Sequence, residues 1–259
     1  MIRVLVTGAA GRMGGHLLRA LEEAGELRVV AALERPGHPA LGSEVSPGVK
    51  LSAELEPALD AAQVAIDFST PAGTLSLVDA ASGKNVALVI ATTGFEAQEQ
   101  RRIEDAARKI PIVMAANFSL GINVLLDLVA EAARRLDGYE IEILELHHSQ
   151  KLDAPSGTAL QLARSAAQAR GTDLESAAVF HRHGQIGDRP PGAIGIQALR
   201  AGDSVGEHTV YLAGPGERVE LAHRALSRDN FAAGALRAAR WVVGRPPGLY
   251  AMSDVLRES

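Results

Sequence analysis

The residues with the clearest capacity for chemistry lie in one polar stretch, His147-His148-Ser149-Gln150-Lys151-Leu152-Asp153-Ala154-Pro155-Ser156-Gly157-Thr158. Histidine side chains titrate near neutral pH and lysine is cationic there, so the stretch combines a proton donor with a positive charge. A helical pattern opens at the Ser-Gly-Thr step, and the free amides at a helix start bind anions. The stretch therefore predicts a site for a carboxylate-bearing substrate with an acid in place.

Two other interpretations of this stretch stay open on the residues alone. Adjacent histidines can ligate a metal ion, but no further His, Asp or Glu follows at ligand spacing, and no HExxH motif is present. We therefore predict no metal site. The stretch could also be a polar loop with a structural role only.

A glycine-rich segment near the start of the chain is the second chemical signal. Thr7-Gly8-Ala9-Ala10-Gly11-Arg12-Met13-Gly14 follows a β-branched run and opens a helical pattern, with the spacing GxxGxxG. Glycines let the backbone approach a pyrophosphate closely, and the helix start adds amides and a positive dipole end. No Lys-Ser/Thr follows, which excludes a Walker A loop. The segment predicts a dinucleotide site; a tight turn without a ligand is the alternative.

An acidic residue at the expected distance supports the dinucleotide interpretation. Glu34 ends the second predicted strand, 20 residues after Gly14, where a carboxylate accepts the adenosine ribose hydroxyls. Arg35 follows directly and could pair with the 2′-phosphate of NADPH, whereas Glu34 favours NADH. An exposed loop arginine without a ligand is the alternative for Arg35.

Polar residues follow two further predicted strands. Thr92-Thr93-Gly94 comes after the fourth strand and Asn117-Phe118-Ser119 after the fifth. Ligands of open α/β sheets bind beyond the carboxyl ends of the strands, so these residues are predicted to line the nicotinamide pocket. Ordinary helix caps and turns are the alternative.

Short apolar strands alternate with helical patterns in the first half of the chain. Strands are predicted at Ile2–Thr7, Leu27–Leu33, Val64–Phe68, Val86–Ala91 and Ile112–Ala116, and helices at 13–24, 74–82 and 96–109, with a loop over 36–47. Nearly continuous apolar strands separated by helices indicate a parallel sheet covered on both faces. We predict an α/β fold with a Rossmann-like, doubly wound domain.

The pattern changes after about residue 118. Helices are predicted at 122–136, 158–170 and 229–244, and strands at 139–146, 178–182, 193–200, 208–213 and 218–225. Gly202-Asp203 and Gly214-Pro215-Gly216-Glu217 are predicted to form hairpin or loop turns between strands. We predict a second α+β domain with a largely antiparallel mixed sheet over 119–228, the first domain comprising 1–118 and 229–259.

Composition narrows the functional classes. The 259 residues are 47% hydrophobic and 22% charged, as in globular proteins, and the absence of cysteine excludes disulfides and thiolate metal sites. A net charge of −5 with 3% aromatic residues argues against nucleic-acid binding. The longest apolar run, Val86–Ala91, is far below the ~20 residues of a membrane span, and no signal peptide is evident. We expect a soluble cytoplasmic protein.

With these motifs in place, the chain resembles the 4-hydroxy-tetrahydrodipicolinate reductases, formerly dihydrodipicolinate reductases, of bacterial lysine and diaminopimelate synthesis. The resemblance runs from Ile2 to Val255 and rests on VTGAAGRMG at 6–14, LER at 33–35, DFSTPAGT at 67–74, ATTGF at 91–95, AANFSLGINV at 115–124, ELHHSQKLDAPSGTAL at 145–160 and RAGDSVGEHTV at 200–210. The string HHxxKxDAPSGT is highly specific.

The resemblance implies a role for each matching residue. His147 is similar to the family's general acid–base and Lys151 to its second proton donor. The implied substrate-binding residues are His148, Ser156, Gly157, Thr158 and Thr92. The implied contacts to NADH or NADPH are Gly8, Ala9, Ala10, Gly11, Arg12, Met13, Glu34, Arg35, Ala91, Thr92, Thr93, Ala115, Ala116, Asn117 and Phe118. The family usually has Gly where this chain has Ala91, whose Cβ could crowd the nicotinamide or strain the turn.

The implied reaction reduces a small cyclic dicarboxylate with hydride from the nicotinamide, and the implied assembly is a homotetramer joined through the second-domain sheets. Another two-domain dehydrogenase acting on an amino-acid intermediate is one alternative. A short-chain dehydrogenase is disfavoured because no strand-like Tyr has Lys four residues on. A catalytically silent NAD(P)-sensing regulator is the alternative from another class.

Overall fold

The computed structural model describes residues 1–257, and their contacts divide the chain into two compact units. Unit 1 comprises Met1–Leu120 and the chain from Arg228 onward, and unit 2 comprises Gly121–Ser227. Residues 258 and 259 of the predicted 229–259 segment lie outside the described range.

The strands are β1 (Ile2–Thr7), β2 (Leu27–Leu33), β3 (Glu44–Ser46), β4 (Val49–Ser52), β5 (Val64–Asp67), β6 (Ala87–Ile90), β7 (Pro111–Met114), β8 (Glu140–His147), β9 (Ala178–Val179), β10 (Ile194–Arg200), β11 (Gly206–Gly214), β12 (Glu217–Ala225) and β13 (Gly248–Tyr250). The helices are α1 (Arg12–Glu22), α2 (Leu55–Ala61), α3 (Pro71–Ser82), α4 (Ala97–Ala107), α5 (Leu120–Arg135), α6 (Gly157–Ala169), α7 (Leu174–Ala177), α8 (Asp229–Val242) and α9 (Met252–Arg257).

Unit 1 is built on one twisted sheet with the strand order β13-β7-β6-β5-β1-β2-β4-β3. Its neighbouring strands run parallel, apart from the antiparallel β3–β4 pair at one edge. Every residue of β5 and β6 is buried, because two separate hydrophobic cores cover the two faces of the sheet. The predicted doubly wound parallel sheet is confirmed.

Unit 2 contains a five-stranded mixed sheet with the order β12-β11-β8-β10-β9. The central strand β8 pairs antiparallel with β11 and parallel with β10. Alternate residues of β8, Ile141 and Ile143, face a core formed with α5 and α6. The predicted turn at 214–217 is a hairpin, which joins β11 to β12 through Pro215 and Gly216, and the predicted α+β class is confirmed.

Several short elements were not predicted. The interval 36–47 and the residues after it contain β3 and β4, and α2, α7 and β13 also lacked a prediction. Each has only three to seven residues, which is too short to display a hydrophobic period. Gly202-Asp203 connects β10 with β11 across β8, so it is a loop and not a hairpin. None of the described helices has the length and apolar composition of a transmembrane span.

A buried carboxyl group ties together the strand ends of unit 1. Asp67, at the end of β5, is 0% exposed and accepts hydrogen bonds from four hydroxyl groups. Its Oδ1 is 2.5 Å from the hydroxyls of Thr7 and Ser69, and its Oδ2 is 2.5 Å from that of Thr74 and 2.8 Å from that of Thr92. Asp67 thereby connects β1, β5, α3 and the segment after β6.

We expect Asp67→Asn to destabilise unit 1 more than a charge loss alone explains. An amide NH₂ cannot accept the two hydroxyls that share one carboxyl oxygen, so buried donors lose their acceptor and stability falls by about 2–4 kcal/mol. Denaturant unfolding of the full chain measures the change. Asp60→Asn, which alters an exposed pair with Lys84, is the matched control and should change stability far less. Equal effects of the two variants would contradict the role of Asp67.

Candidate active site

A buried ion pair lies at the carboxyl end of β8. Glu145 and His147 are two residues apart, so both side chains point to the core face occupied by Ile141 and Ile143. Glu145 is 0% exposed and His147 is buried, and Nδ1 of His147 lies 2.5 Å from Oε2 of Glu145. The prediction had His147 in the loop after the strand; instead, it is the last residue of β8 and pairs with Arg200 of β10.

Two other groups donate to the same carboxylate. The guanidinium of Arg200 approaches it bidentately at 2.8 and 2.9 Å, and the backbone amide of Ser156 donates at 2.9 Å. Burial alone would raise the pKa of Glu145, but the hydrogen bonds from His147, Arg200 and Ser156 outweigh burial and lower the pKa to about 2. A carboxylate can only accept, so Nδ1 of His147 must carry the hydrogen in this pair.

Ser156 begins α6 and connects Glu145 to a second histidine. Its hydroxyl accepts from the amide of Ala159 at 3.2 Å as the helix N-cap, and lies 3.1 Å from Nε2 of His208. Burial, followed by the nearby charge of His147, lowers the pKa of His208 to about 4. His208 is therefore neutral at pH 7, and its ring meets that of His147 edge to face at 5.2 Å.

The loop between β8 and α6 carries the predicted lysine. Nζ of Lys151 lies 2.7 Å from Oδ1 of Asp153, and the hydrogen bond from Lys151 lowers the pKa of that carboxyl. The carbonyl of Asp153 accepts from Arg200 at 2.7 Å, which anchors the loop to the Glu145 cluster. His148 is half-buried, and its amide donates to the carbonyl of Ser204.

The structure thus brings together the predicted residues His147, His148, Lys151, Ser156, Gly157 and Thr158 in unit 2. Gly157 is exposed and Thr158 half-buried at the start of α6, where first-turn amides attract anions. Sequence reasoning missed Glu145, Arg200, His208 and Gly206. A Cβ on Gly206 would lie 2.9 Å from Nε2 of His147, so a larger residue would crowd the ring.

The glycine-rich turn of unit 1 has the close approaches that the motif predicts. Gly8 has φ +66°, and a Cβ there would lie 2.4 Å from the carbonyl oxygen of Phe68. A Cβ on Gly14 would lie 2.3 Å from the carbonyl oxygen of Ala9. Gly11 caps α1 without a side-chain hydrogen bond, and Ala10, Gly11 and Arg12 are exposed. An open helix start with a tight glycine turn fits the pyrophosphate of a dinucleotide.

The predicted ribose site follows β2. Glu34 is half-buried, and its carboxylate accepts from the backbone amide of Arg35 at 3.0 Å. The side chain of Arg35 is exposed. The acidic residue and the arginine thus stand at the carboxyl end of a central strand, beside the glycine turn whose Ala9 amide donates to Leu33.

The residues after β6 and β7 differ in what they can offer a ligand. Thr92 is 7% exposed and its hydroxyl donates to Asp67, and Phe118 is 1% exposed with its ring packed against Phe68. Both belong to unit 1, so Thr92 is not in the unit that holds the other residues predicted for the substrate. Thr93 and Ala116 are exposed, and Ala91, Ala115 and Asn117 are half-buried.

The backbone at Ala91 does not have the positive φ that would require glycine. Among the described residues, Asn85 is the one non-glycine residue with positive φ, so Ala91 adopts a conformation open to any L-residue. The prediction that the Cβ of Ala91 strains the turn is therefore wrong, whereas crowding of the nicotinamide stays a prediction. Within the described chain, no three His, Asp or Glu side chains are grouped as a metal ion would require.

Two family models match this chain, one over its first part and one over the remainder. Residues 2–118 match the family model for the dihydrodipicolinate reductase N-terminus, and residues 121–256 match that for its C-terminus. The chain is 48% identical to a 4-hydroxy-tetrahydrodipicolinate reductase from Anaeromyxobacter dehalogenans, covering 99% of this chain and 98% of that one. It is 49% identical to the Myxococcus xanthus enzyme of the same name, with the same coverage.

Solved structures share the fold of this chain. A dipicolinate-bound dihydrodipicolinate reductase from Paenisporosarcina sp. TG-14 superposes with a TM-score of 0.82 at 25% identity, covering 99% of this chain and 100% of that one. An amine dehydrogenase from Mycobacterium smegmatis shares the fold, with a TM-score of 0.67 at 11% identity, covering 97% and 95%. The resemblance drawn from the motifs is confirmed, and the chain belongs to the dihydrodipicolinate reductase family.

Proposed function

We propose that the chain reduces 4-hydroxy-tetrahydrodipicolinate to tetrahydrodipicolinate with NADH or NADPH, in lysine and diaminopimelate biosynthesis in the cytoplasm. The substrate loses its 4-hydroxyl as water, hydride adds to C4, and a proton adds to the adjacent carbon. The observation that carries the proposal is the buried Glu145–His147 pair beside Lys151 and the start of α6. The names of the relatives agree with it.

The two units have different proposed roles. Unit 1, with the glycine turn, Glu34 and Arg35, holds the dinucleotide, which supplies the hydride when bound. Unit 2, with the cluster around β8 and α6, binds the dicarboxylate and donates the proton.

Binding of the substrate carboxylates follows from the charges of unit 2. Lys151 provides a cation, and the amides at Gly157 and Thr158 provide N–H donors at a positive helix end. His148 adds a polar side chain next to the reacting histidine. These groups orient the ring and stabilise negative charge that develops on it.

His147 donates the proton. Because Nδ1 holds a hydrogen against Glu145, Nε2 is the atom that gains and releases the proton. Neutral His208 places no second cation beside the ring, so a charged His147 meets no imidazolium there. The protein thus positions the ring of His147 and delivers the proton from its Nε2.

The two alternative functions would give different results in the same assays. A dehydrogenase for another amino-acid intermediate would oxidise NAD(P)H with that substrate and not with hydroxytetrahydrodipicolinate. A silent NAD(P) sensor would bind the cofactor tightly without turnover. The buried acid–histidine pair favours a catalyst, since a sensor has no need of a proton donor.

We also propose assembly into a homotetramer through the unit 2 sheet, as the resemblance implies. One face of this sheet packs on the helical core, whereas Leu144, Leu146 and Leu199 point to the other face. Leu199 is 47% exposed, and Nε2 of the neighbouring Gln197 is buried without a hydrogen-bond partner among the described residues. An apolar patch of this kind favours pairing with another copy.

Sedimentation equilibrium measures the assembly. We expect four chains for the wild-type protein and a shift to smaller species for Leu146→Arg, because a charge would be buried at the interface. Leu249→Arg, an exposed leucine of unit 1, is the control and should leave the tetramer intact. A stable wild-type monomer would remove this proposal while leaving the activity to be judged separately.

The activity is tested by following NAD(P)H oxidation with freshly generated hydroxytetrahydrodipicolinate. In this assay, we expect His147→Gln to lower kcat by roughly 10²–10⁴, with little change in KM, because the proton donor is lost. Lys151→Ala should lower kcat/KM with a clear KM component, since a carboxylate partner is lost. His181→Gln, an exposed histidine of unit 2, is the control.

The reverse pattern would reassign the histidines. Wild-type turnover by His147→Gln together with inactivity of His148→Gln would make His148 the proton donor. No oxidation of NAD(P)H by the wild-type chain with this substrate would contradict the proposed function itself.

Cofactor choice is expected to depend on Arg35. The exposed guanidinium can pair with the 2′-phosphate of NADPH, whereas Glu34 suits the ribose hydroxyls of NADH, so we expect both cofactors to be used. Arg35→Ala should weaken NADPH about tenfold, the effect of one charge-assisted contact, and NADH much less. Fluorescence titration measures both affinities, with exposed Arg28→Ala as the control. Equal losses for both cofactors would show that Arg35 does not contact the phosphate.

A further inference from the structure

Glu145 is hydrogen-bonded to His147, Ser156 and Arg200, although the sequence analysis assigned it no role. Its two oxygens accept four hydrogen bonds: Oε2 from His147 and Arg200, and Oε1 from Ser156 and Arg200. The donors come from β8, β10 and the start of α6. One carboxylate is thus bonded both to the proton donor and to the first amide of the predicted carboxylate site.

We propose that Glu145 is a positioning residue for the reaction. It holds the ring of His147 with Nδ1 protonated and leaves Nε2 available for proton transfer. The proposal rests on the proposed function for its kinetic effect, but the ring orientation itself does not depend on the substrate. Buried carboxylates that hold an acid–base histidine in one tautomer are a recurring catalytic device.

Burial and the bidentate contact with Arg200 restrict the carboxylate of Glu145. Glu145 has no solvent exposure, and Arg200, which itself also donates to the carbonyl of Asp153, clamps both oxygens. On the opposite side of the imidazole, Gly206 leaves space that a Cβ would fill at 2.9 Å from Nε2. The ring is therefore located by Glu145 at one nitrogen and by the backbone at Gly206 near the other.

Glu145→Gln separates positioning from simple support of the fold. The amide oxygen can still accept from Ser156, whereas the NH₂ group cannot accept from Nδ1 of His147. We expect kcat to fall about 10²-fold and KM for the substrate to change less than about threefold. Glu145→Asp keeps the charge and should recover at least part of kcat. A wild-type kcat in Glu145→Gln would overturn the proposal.

A double-mutant cycle identifies the residue through which Glu145 acts. If it acts through His147, Glu145→Gln should change kcat by less than about threefold in a His147→Gln background. The same large factor in both backgrounds would mean that Glu145 supports the fold and not the histidine. Glu142→Gln is the matched control, because Glu142 lies on the same strand and is also held bidentately by an arginine, Arg182, but on the other face. It should leave kcat within about twofold.

Histidine-ring NMR tests the orientation without any substrate, and without relying on a variant of Glu145 that folds. In the wild-type protein labelled with ¹⁵N-histidine, we expect a downfield Nδ1–H resonance that disappears in His147→Gln. A neutral His147 ring protonated only at Nε2 would overturn the proposal even in an active enzyme. A correct ring signal in a protein inactive on hydroxytetrahydrodipicolinate would instead count against the proposed function alone.

Discussion

A carboxylate without solvent exposure must find all its hydrogen bonds inside the protein, and Glu145 does so with four donors. Loss of any one partner of such a buried charge strongly destabilises the folded protein. The hydrogen bonds of Glu145 therefore fix β8, β10 and the start of α6 relative to one another. The side chains that carry the proposed chemistry project from these same elements. The positions of these side chains therefore follow from the need of the buried Glu145 carboxylate for hydrogen-bond donors.

Unit 1 also contains a buried carboxyl group, that of Asp67, but its hydrogen-bond donors differ from those of Glu145. Asp67 is equally buried, but among residues 1–257 its partners are four neutral hydroxyls and no cation. Three of the hydroxyls, those of Thr7, Ser69 and Thr92, lie at or just after the ends of β1, β5 and β6, where ligands of open α/β sheets bind, and the fourth, that of Thr74, lies in α3. In both units a buried acid fixes the backbone beside a proposed binding site, because strand ends leave polar groups that need internal partners.

The long elements were predictable because their hydrophobic pattern is continuous: β1 and β2 have the predicted bounds. The end of β8 was not predicted correctly, because two histidines interrupt the apolar run. The alternation of buried and less buried residues in EIEILELH nevertheless continues through His147. That alternation also places Glu145 on the core face. Sequence alone gives no reason to bury a glutamate there, because its partner Arg200 lies 55 residues away and joins it only through strand pairing.

The charges of the unit 2 cluster divide into a fixed pair and an exchangeable one. Glu145 and Arg200 are buried or clamped and cannot separate without leaving a charge unpaired. Lys151 instead pairs with Asp153, whose side chain is 62% exposed, and such surface pairs contribute little. In the proposed function, Lys151 would exchange Asp153 for a substrate carboxylate, while the ring of His147 keeps its place against Glu145. Rigid positioning of the proposed proton donor, His147, is compatible with movement of Lys151 because the two side chains pair with different carboxylates.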